Sequence, residues 1–400
     1  MVRYDFDQPI LRVGTDSTKW DLRKEVFGRS DVIPMWVADM DFAVAEPITE
    51  ALRRRTEHPV YGYSHTSSSL IKAVIKRLDD KYGWKVKPEW LVFTPGVIPA
   101  IAAAVRAYAH PGDAVVMADP IYHPFWSVVP DAGCRIAASP LKLSKSRYEM
   151  DFDDLRQRFK AGDNPFRPAP PARAMILCNP HNPVGREWTR AELIEAGRIA
   201  IDSGAVVISD EIHCELLFDG VTHTPFAAIS EEFAQNSLVC MSATKTFNLA
   251  GLAASVIVIP NTRLRTEFQR ARGGIMPQPD VMALTALEAA FSHGDEWLTQ
   301  LSVYLQANLD YLTDYVEKRI PRIKVIRPEG TYLVWLDCRA LGLDKNQLRA
   351  FFIEQAGVGL DDGNAFGVGG LGFQRLNIAC TRATLTEALE RIERAVNQLA

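Results

Sequence analysis

Six cysteines are spread through 400 residues, at 134, 178, 214, 240, 338 and 380, and no two form a CxxC pair. That scarcity excludes a disulfide-framed secreted fold and a zinc ribbon. Several of the cysteines sit in apolar runs, where the residue acts as a small buried hydrophobe. They read as reduced thiols, and the expected location is the cytoplasm. The formal net charge is only -4, and no block of like charge interrupts the chain. A nucleic-acid-binding or membrane-binding arm is therefore not indicated. No apolar run approaches the length that crosses a bilayer. The opening segment, Met1-Val-Arg-Tyr-Asp-Phe-Asp7, is charged and holds no apolar signal region. Internal repeats and low-complexity segments are missing as well.

What is present is ordinary globular composition, 47% hydrophobic and 24% charged, in a chain long enough for two domains. Short apolar runs at 90–94, 114–118, 174–178, 205–209, 237–241 and 254–259 read as buried strands. They alternate with helical patterns at 67–82, from about 97 through Tyr108, and at 191–202. Such alternation implies an α/β fold, with a central, mostly parallel sheet flanked by helices. Residues 139–173 are polar and proline-punctuated, with one helical piece at 152–159. Beyond about residue 280 the pattern changes. Helical runs at 281–291 and 297–318 lead to strands at 323–326, 332–336 and 373–379, with helices at 348–355 and 385–399. The expected division is an N-terminal arm with part of the small domain (1–46), a large domain (47–285) and a small α+β domain (286–400). The apolar stretch 34–42 reads as extended.

The stretch that organises the chain is Ser242-Ala-Thr-Lys245-Thr-Phe-Asn-Leu-Ala-Gly251. Lys245 lies between an apolar run and a small-residue run, so its amine is expected against a packed core. Desolvation lowers the pKa of an ammonium group and frees the amine to attack a carbonyl. Ser242 and Thr244 add hydroxyls able to bind an anion. A lysine amine beside an anion-binding pair suits a Schiff base with a phosphorylated aldehyde, namely pyridoxal 5'-phosphate. A lone lysine would carry little weight. Tyr122, Asn182 and Asp210, however, also fall at or just beyond the C-terminal ends of strands, where open α/β sheets bind ligands. Asp210 can pair with a pyridine nitrogen, Asn182 can donate to a phenolic oxygen, and Tyr122 offers a flat face. The turn Pro95-Gly96-Val97-Ile98, between a strand and an apolar helix, can aim free N–H groups at a phosphate. Arg375 can grip a carboxylate bidentately.

The strings Asn179-Pro-His-Asn182-Pro-Val-Gly185, Ser209-Asp210-Glu-Ile-His213 and Ser242-Ala-Thr-Lys245-Thr-Phe-Asn, in this order and spacing, resemble fold-type-I pyridoxal-phosphate enzymes of the class I/II aminotransferase group. The resemblance runs nearly end to end. Met35-Trp-Val-Ala-Asp-Met-Asp-Phe42, Gly330-Thr-Tyr-Leu-Val-Trp-Leu-Asp-Cys-Arg339, Ala356-Gly-Val-Gly-Leu-Asp-Asp-Gly363 and Arg375-Leu-Asn-Ile-Ala-Cys380 are similar to the MalY/PatB branch of cystathionine β-lyases, or C–S lyases.

The resemblance implies roles position by position. Lys245 would hold the cofactor and move the α-proton, and Tyr122 would be the second catalytic candidate, stacked on the ring. Asp210, Asn182 and His213 would contact the ring. Backbone at Val97 and Ile98, with Ser242 and Thr244, would hold the phosphate. Tyr63 would reach the phosphate of a neighbouring subunit's cofactor, which implies a homodimer. Arg375, with Asn182 and backbone near Ala38, would bind the substrate's carboxylate. The wider group carries tyrosine where this chain has His213, and often a phosphate-binding arginine where it has Ala253. Both departures weigh against transamination more than against cofactor binding.

The expected reaction is β-elimination from an S-substituted L-cysteine such as cystathionine, whose thiol product, homocysteine, belongs to methionine biosynthesis. An aminotransferase on the same scaffold is the alternative. A regulatory protein that retains the cofactor is a third reading. The pocket wall beyond the reacting carbon is expected near Trp36, Tyr63 and the 271–277 loop, with Arg272 on a mobile edge.

Overall fold

The computed structural model describes residues 3–160 and 170–399. The central part of the proline-punctuated stretch expected at 139–173 lies outside the described residues. A short strand, β1 (Ile33–Pro34), precedes the main sheet. The chain then forms β2 (Leu91–Thr94), β3 (Ala114–Asp119) and β4 (Arg135–Pro140), followed by a small hairpin of β5 (Lys142–Ser144) and β6 (Arg147–Glu149). Four further strands complete the main sheet: β7 (Ala172–Cys178), β8 (Val206–Asp210), β9 (Ser237–Met241) and β10 (Ser255–Val258). Their order is β2-β10-β9-β8-β7-β3-β4, and only β10 runs against its neighbours.

The central parallel strands β3, β7, β8 and β9 are apolar along most of their length because both faces are covered. Alternate residues feed two separate clusters. Val115, Met117, Ile176, Ile208, Leu238 and Ile257 face one side. Val116, Met175, Leu177, Val207, Val239 and Val256 face the other. The alanine-rich helix Val97–Tyr108 lies tight on the first side, with Ala100, Ile101, Ala104 and Val105 fully buried.

A second sheet follows. Strands β11 (Lys324–Ile326) and β12 (Leu333–Asp337) precede β13 (Val358–Gly359), β14 (Asp361–Asp362) and β15 (Phe373–Asn377). Four of them pair in the order β11-β12-β15-β14, all antiparallel, while β13 pairs in parallel with β1. The arm is thereby hydrogen-bonded to the C-terminal part of the chain. The helices Asp295–Arg319 and Arg382–Gln398 pack together beside this sheet.

Two expectations need correction. Of the 34–42 stretch only Pro34, the end of strand Ile33–Pro34, is in a strand. Beyond it the backbone bends, because side chains rather than a neighbouring strand take up its polar groups. Asn377 donates to the carbonyls of Val37 and Asp39, and Asn248 to those of Met40 and Phe42. Strand β4 and the β5–β6 hairpin were also unforeseen. The β4 sequence, Arg-Ile-Ala-Ala-Ser-Pro, carries little β-propensity and is held at the sheet edge by pairing with β3.

Strand order reverses between β3 and β7, since β4 lies on one side of β3 and all later strands on the other. A crevice opens at the C-terminal ends of the strands at such a reversal. The loop after β7 is tied down by Gly185, whose φ is +71° and whose carbonyl accepts from Glu329 and Gly330. A Cβ at Gly185 would lie 2.3 Å from Pro328 Cβ and 2.8 Å from its Cα. Gly185→Ala is therefore expected to cost about 2–4 kcal/mol of stability, from overlap plus left-handed strain, read as a lower midpoint in thermal or urea unfolding.

Candidate active site

The crevice holds a cavity of about 240 Å³ lined by Ala38, Gly96, Val97, Ile98, Tyr122, Asn182, Asp210, His213, Thr244 and Lys245, among others. Tyr122 follows β3, Asn182 follows β7, Asp210 ends β8, and Lys245 follows β9. These four residues, far apart in sequence, meet because parallel strands end at one edge of one sheet.

Lys245 presents its amine to the cavity. Its Nζ donates to the carbonyl oxygen of Ala38 at 2.7 Å, and among the described residues no carboxylate comes within salt-bridge distance. Burial, assisted by the nearby charge of Arg375, lowers its pKa to about 8, although Asp39 and Asp210 pull the other way. Tyr332 donates its hydroxyl to the same Ala38 carbonyl at 3.0 Å. That tyrosine escaped the sequence reading, because nothing in Gly330-Thr-Tyr-Leu-Val distinguishes it from a core aromatic.

Asp210 is 3% exposed and accepts from the Ile212 N–H at 3.2 Å. Desolvation raises its pKa to about 7, with the neighbouring Glu211 adding to the effect. A buried carboxyl in this condition is short of a cation. A protonated ring nitrogen placed against it would supply the missing charge.

Three further groups in or beside the cavity lack partners. The Nδ1 of His213 is buried with no hydrogen bond. Burial keeps this imidazole neutral, its pKa well below the usual value, and Lys245 and Arg375 add to that. The Nε of Arg375 is likewise buried and unpaired. At the start of the helix Val97–Tyr108, Gly96 adopts φ +125° and no side chain caps the helix. Pro99 has no N–H and Ala100 N donates to Gly96 O. The free amides of the first turn are therefore those of Val97 and Ile98, both on the cavity wall.

The remaining predicted residues are placed as follows. Thr244 lines the cavity, whereas Ser242 stands one step behind it. The Ser242 hydroxyl donates to Ala254 O at 2.7 Å, lies 2.8 Å from Thr244 Oγ1 and accepts from Thr244 N. Its visible role is to orient Thr244. Asn182 accepts from Arg375 Nη1 at 2.9 Å through Oδ1, which leaves its NH₂ for another acceptor. Tyr122 forms one wall, its phenol pushed up in pKa by burial. Tyr63 is fully exposed and lies outside this cavity. Arg272, expected on a mobile edge, is instead buried and donates to Phe93 O at 2.8 Å. Ala253 lines the cavity, so no cationic side chain enters it from that position.

These groups fit pyridoxal phosphate. Lys245 offers an amine for its aldehyde, Asp210 a carboxyl for the ring nitrogen, and His213 and Asn182 free polar atoms. Two amides and Thr244 stand ready for the phosphate.

Comparison with known proteins agrees with the geometry. The chain is 40% identical over 398 residues to cystathionine beta-lyase PatB of Bacillus subtilis, covering 98% of this chain and all of that one. The cystalysin structure from Treponema denticola, which contains a pyridoxal 5'-phosphate cofactor, superposes with a TM-score of 0.94 at 33% identity, over the whole of both chains. The PLP-bound C-S lyase of Staphylococcus hominis matches at 0.91 and 32%, covering 99% of this chain and 98% of that one. With the family model for aminotransferase class I and II matching residues 30–392, the chain belongs to the class I and II aminotransferase family.

Proposed function

We propose that this protein is a pyridoxal-phosphate-dependent C–S β-lyase. Its substrate would be L-cystathionine or a related S-substituted L-cysteine. With one water, the products are a thiol, pyruvate and ammonia. The observation that carries the reading is a desolvated lysine amine sharing one cavity with Asp210, Asn182 and His213, with Arg375 hydrogen-bonded to Asn182 beside it. Relatives named as cystathionine beta-lyases over nearly the whole chain support the choice of substrate.

When bound, the cofactor supplies an electron sink for the pair left at the substrate's α-carbon. The chain's own residues do the rest. Arg375 and Asn182 hold the α-carboxylate and so fix which Cα bond faces Lys245. The Lys245 amine takes the α-proton, which a depressed pKa makes feasible near neutral pH. Asp210 holds a proton between itself and the ring nitrogen. The Tyr122 ring and the close-packed walls exclude water, which strengthens each of these interactions. The Val97 and Ile98 amides with Thr244 anchor the phosphate. Residues 47–285 are read as the cofactor-binding domain, closed by the arm at 1–46 and a small domain at 286–400.

An aminotransferase remains the second reading, favoured by the family to which the chain belongs. It needs the same residues, with Lys245 returning its proton to the cofactor. A homodimer is proposed as well. Val60, Tyr61 and Tyr63 all protrude from one loop, as residues do that a second copy covers, and Tyr63 would complete the partner's phosphate site. Cytoplasmic residence suits six free, buried thiols.

Three outcomes are expected. Purified protein with pyridoxal phosphate and L-cystathionine, and no keto acid, should release pyruvate and free thiol over many turnovers. One spectral conversion that restarts only when keto acid is added would mean an aminotransferase. Lys245→Ala should lose the visible absorption band of the bound cofactor along with turnover. The rate at which cofactor-free enzyme captures pyridoxal phosphate should rise with pH and level off above about 8, because Lys245 reacts as its free amine. Stopped-flow absorbance between pH 6 and 11 checks this, and a rise that continues to the ordinary lysine range near 10.5 would refute the role of desolvation.

A further inference from the structure

We infer that Asp361 is a built-in competitor for the substrate's carboxylate at Arg375, and so sets how tightly the enzyme holds its amino acid. The inference rests on the lyase reading only in taking Arg375 as the carboxylate-binding residue.

A guanidinium carries five N–H donors in one plane. In Arg375 they are largely committed. Nη1 donates to Asn182 Oδ1 at 2.9 Å. Nη2 donates to Trp36 O at 3.1 Å and also to Asp361 Oδ2, its direct cross-strand neighbour between β14 and β15. Both Nη2 hydrogens are thereby taken. What remains is the Nε–H, buried and unpaired, and one hydrogen on Nη1. A carboxylate binds arginine through two parallel N–H groups, either Nε with Nη2 or the two Nη together. Both forks include Nη2. A bidentate substrate therefore has to displace one of the acceptors now on that nitrogen.

Asp361 is the one free to leave. Trp36 O belongs to the backbone of the bent segment, whose next carbonyls are held by Asn377. The Asp361 side chain keeps 16% of its surface exposed, and among the described residues its carboxylate has no other hydrogen-bond partner. The guanidinium itself cannot swing to offer a different edge. Its centre lies 4.8 Å over the Phe366 ring, and Asn182 holds one end. Binding is thus an exchange of one carboxylate for another on a fixed cation. In the resting site Asp361 balances the charge of a buried arginine, which an unpaired guanidinium could not sustain cheaply. The exchange weakens the net affinity for amino acids, and a ligand without a carboxylate cannot drive it.

The test uses cofactor-loaded enzyme with Asp361→Asn, which keeps the shape and removes the charge. Calorimetric titration with propionate, an unreactive carboxylate, gives the affinity directly whether or not cystathionine is cleaved. The dissociation constant is expected to fall roughly three- to tenfold, and KM for L-cystathionine to fall with it while kcat stays within about twofold. An unchanged, weaker or undetectable affinity for propionate overturns the inference, since a residue that merely positions Arg375 would weaken binding when removed. Asp361→Ser, which also removes the charge, takes the same measurements should the amide variant fail to fold. Failure of the lyase reading would show separately, as tight propionate binding without pyruvate release.

Discussion

Keeping one amine dry is the constraint on which the rest of this structure depends. An ammonium group pulled out of water either finds an anion or gives up its proton. Among the described residues no acid stands close enough to pair with Lys245, and its hydrogen-bond partner is a neutral carbonyl, that of Ala38. The amine is therefore poised near neutrality. The same enclosure has the opposite effect on Asp210, which holds its proton more strongly than a surface acid. One low-dielectric cavity thus places a base and an acid in complementary states a few residues from each other's strands.

The Ala38 carbonyl has to stay where it is for this to work, and the segment around it is fastened from three directions. Asn377 on β15 and Asn248 just beyond Lys245 take its carbonyls. From the N-terminal arm, Arg12 pairs with Asp39 and Asp41, and the fully buried Lys19 pairs with Asp41 at 2.8 Å. Isolated surface ion pairs contribute little. Here the charges are largely buried and interlinked, so removing one partner would strand the others. Arg12 and Lys19 consequently act on the active site through the segment around Ala38, although neither of them lines the cavity.

A second buried network underlies the floor of the site. His223 bridges Glu187 at 2.9 Å and Glu211 at 2.8 Å. Burial would push this imidazole down, but the two carboxylates override it and raise its pKa to about 10. Glu187 also accepts from Asn179, and Glu211 from Ser209 and the Phe226 N–H. Asn179 and Glu211 belong to the segments that carry Asn182 and Asp210. One imidazolium thereby fixes the spacing of two loops that the sheet alone leaves at the ends of neighbouring strands.

Much of this was legible from the chain. Lys245, Asp210, Asn182 and Tyr122 stand beside short apolar strands, and periodicity locates such strands well because their burial is nearly complete. The free amides of Val97 and Ile98 could be anticipated from a glycine before an apolar helix. The bend at 37–42 could not, because it depends on asparagines more than 200 positions away. Tyr332 and Asp361 were equally invisible. Each looks like an ordinary strand residue until the second sheet brings Tyr332 to the Ala38 carbonyl and Asp361 to Arg375. The sequence by itself determined the strands, the sheet's flanking helices and the chemical groups at the strand ends, since these follow from local patterns of apolar and polar residues. Only the tertiary structure decided which groups are dry, which are paired and which wait for a ligand, because burial and partnership are set by residues distant in the chain.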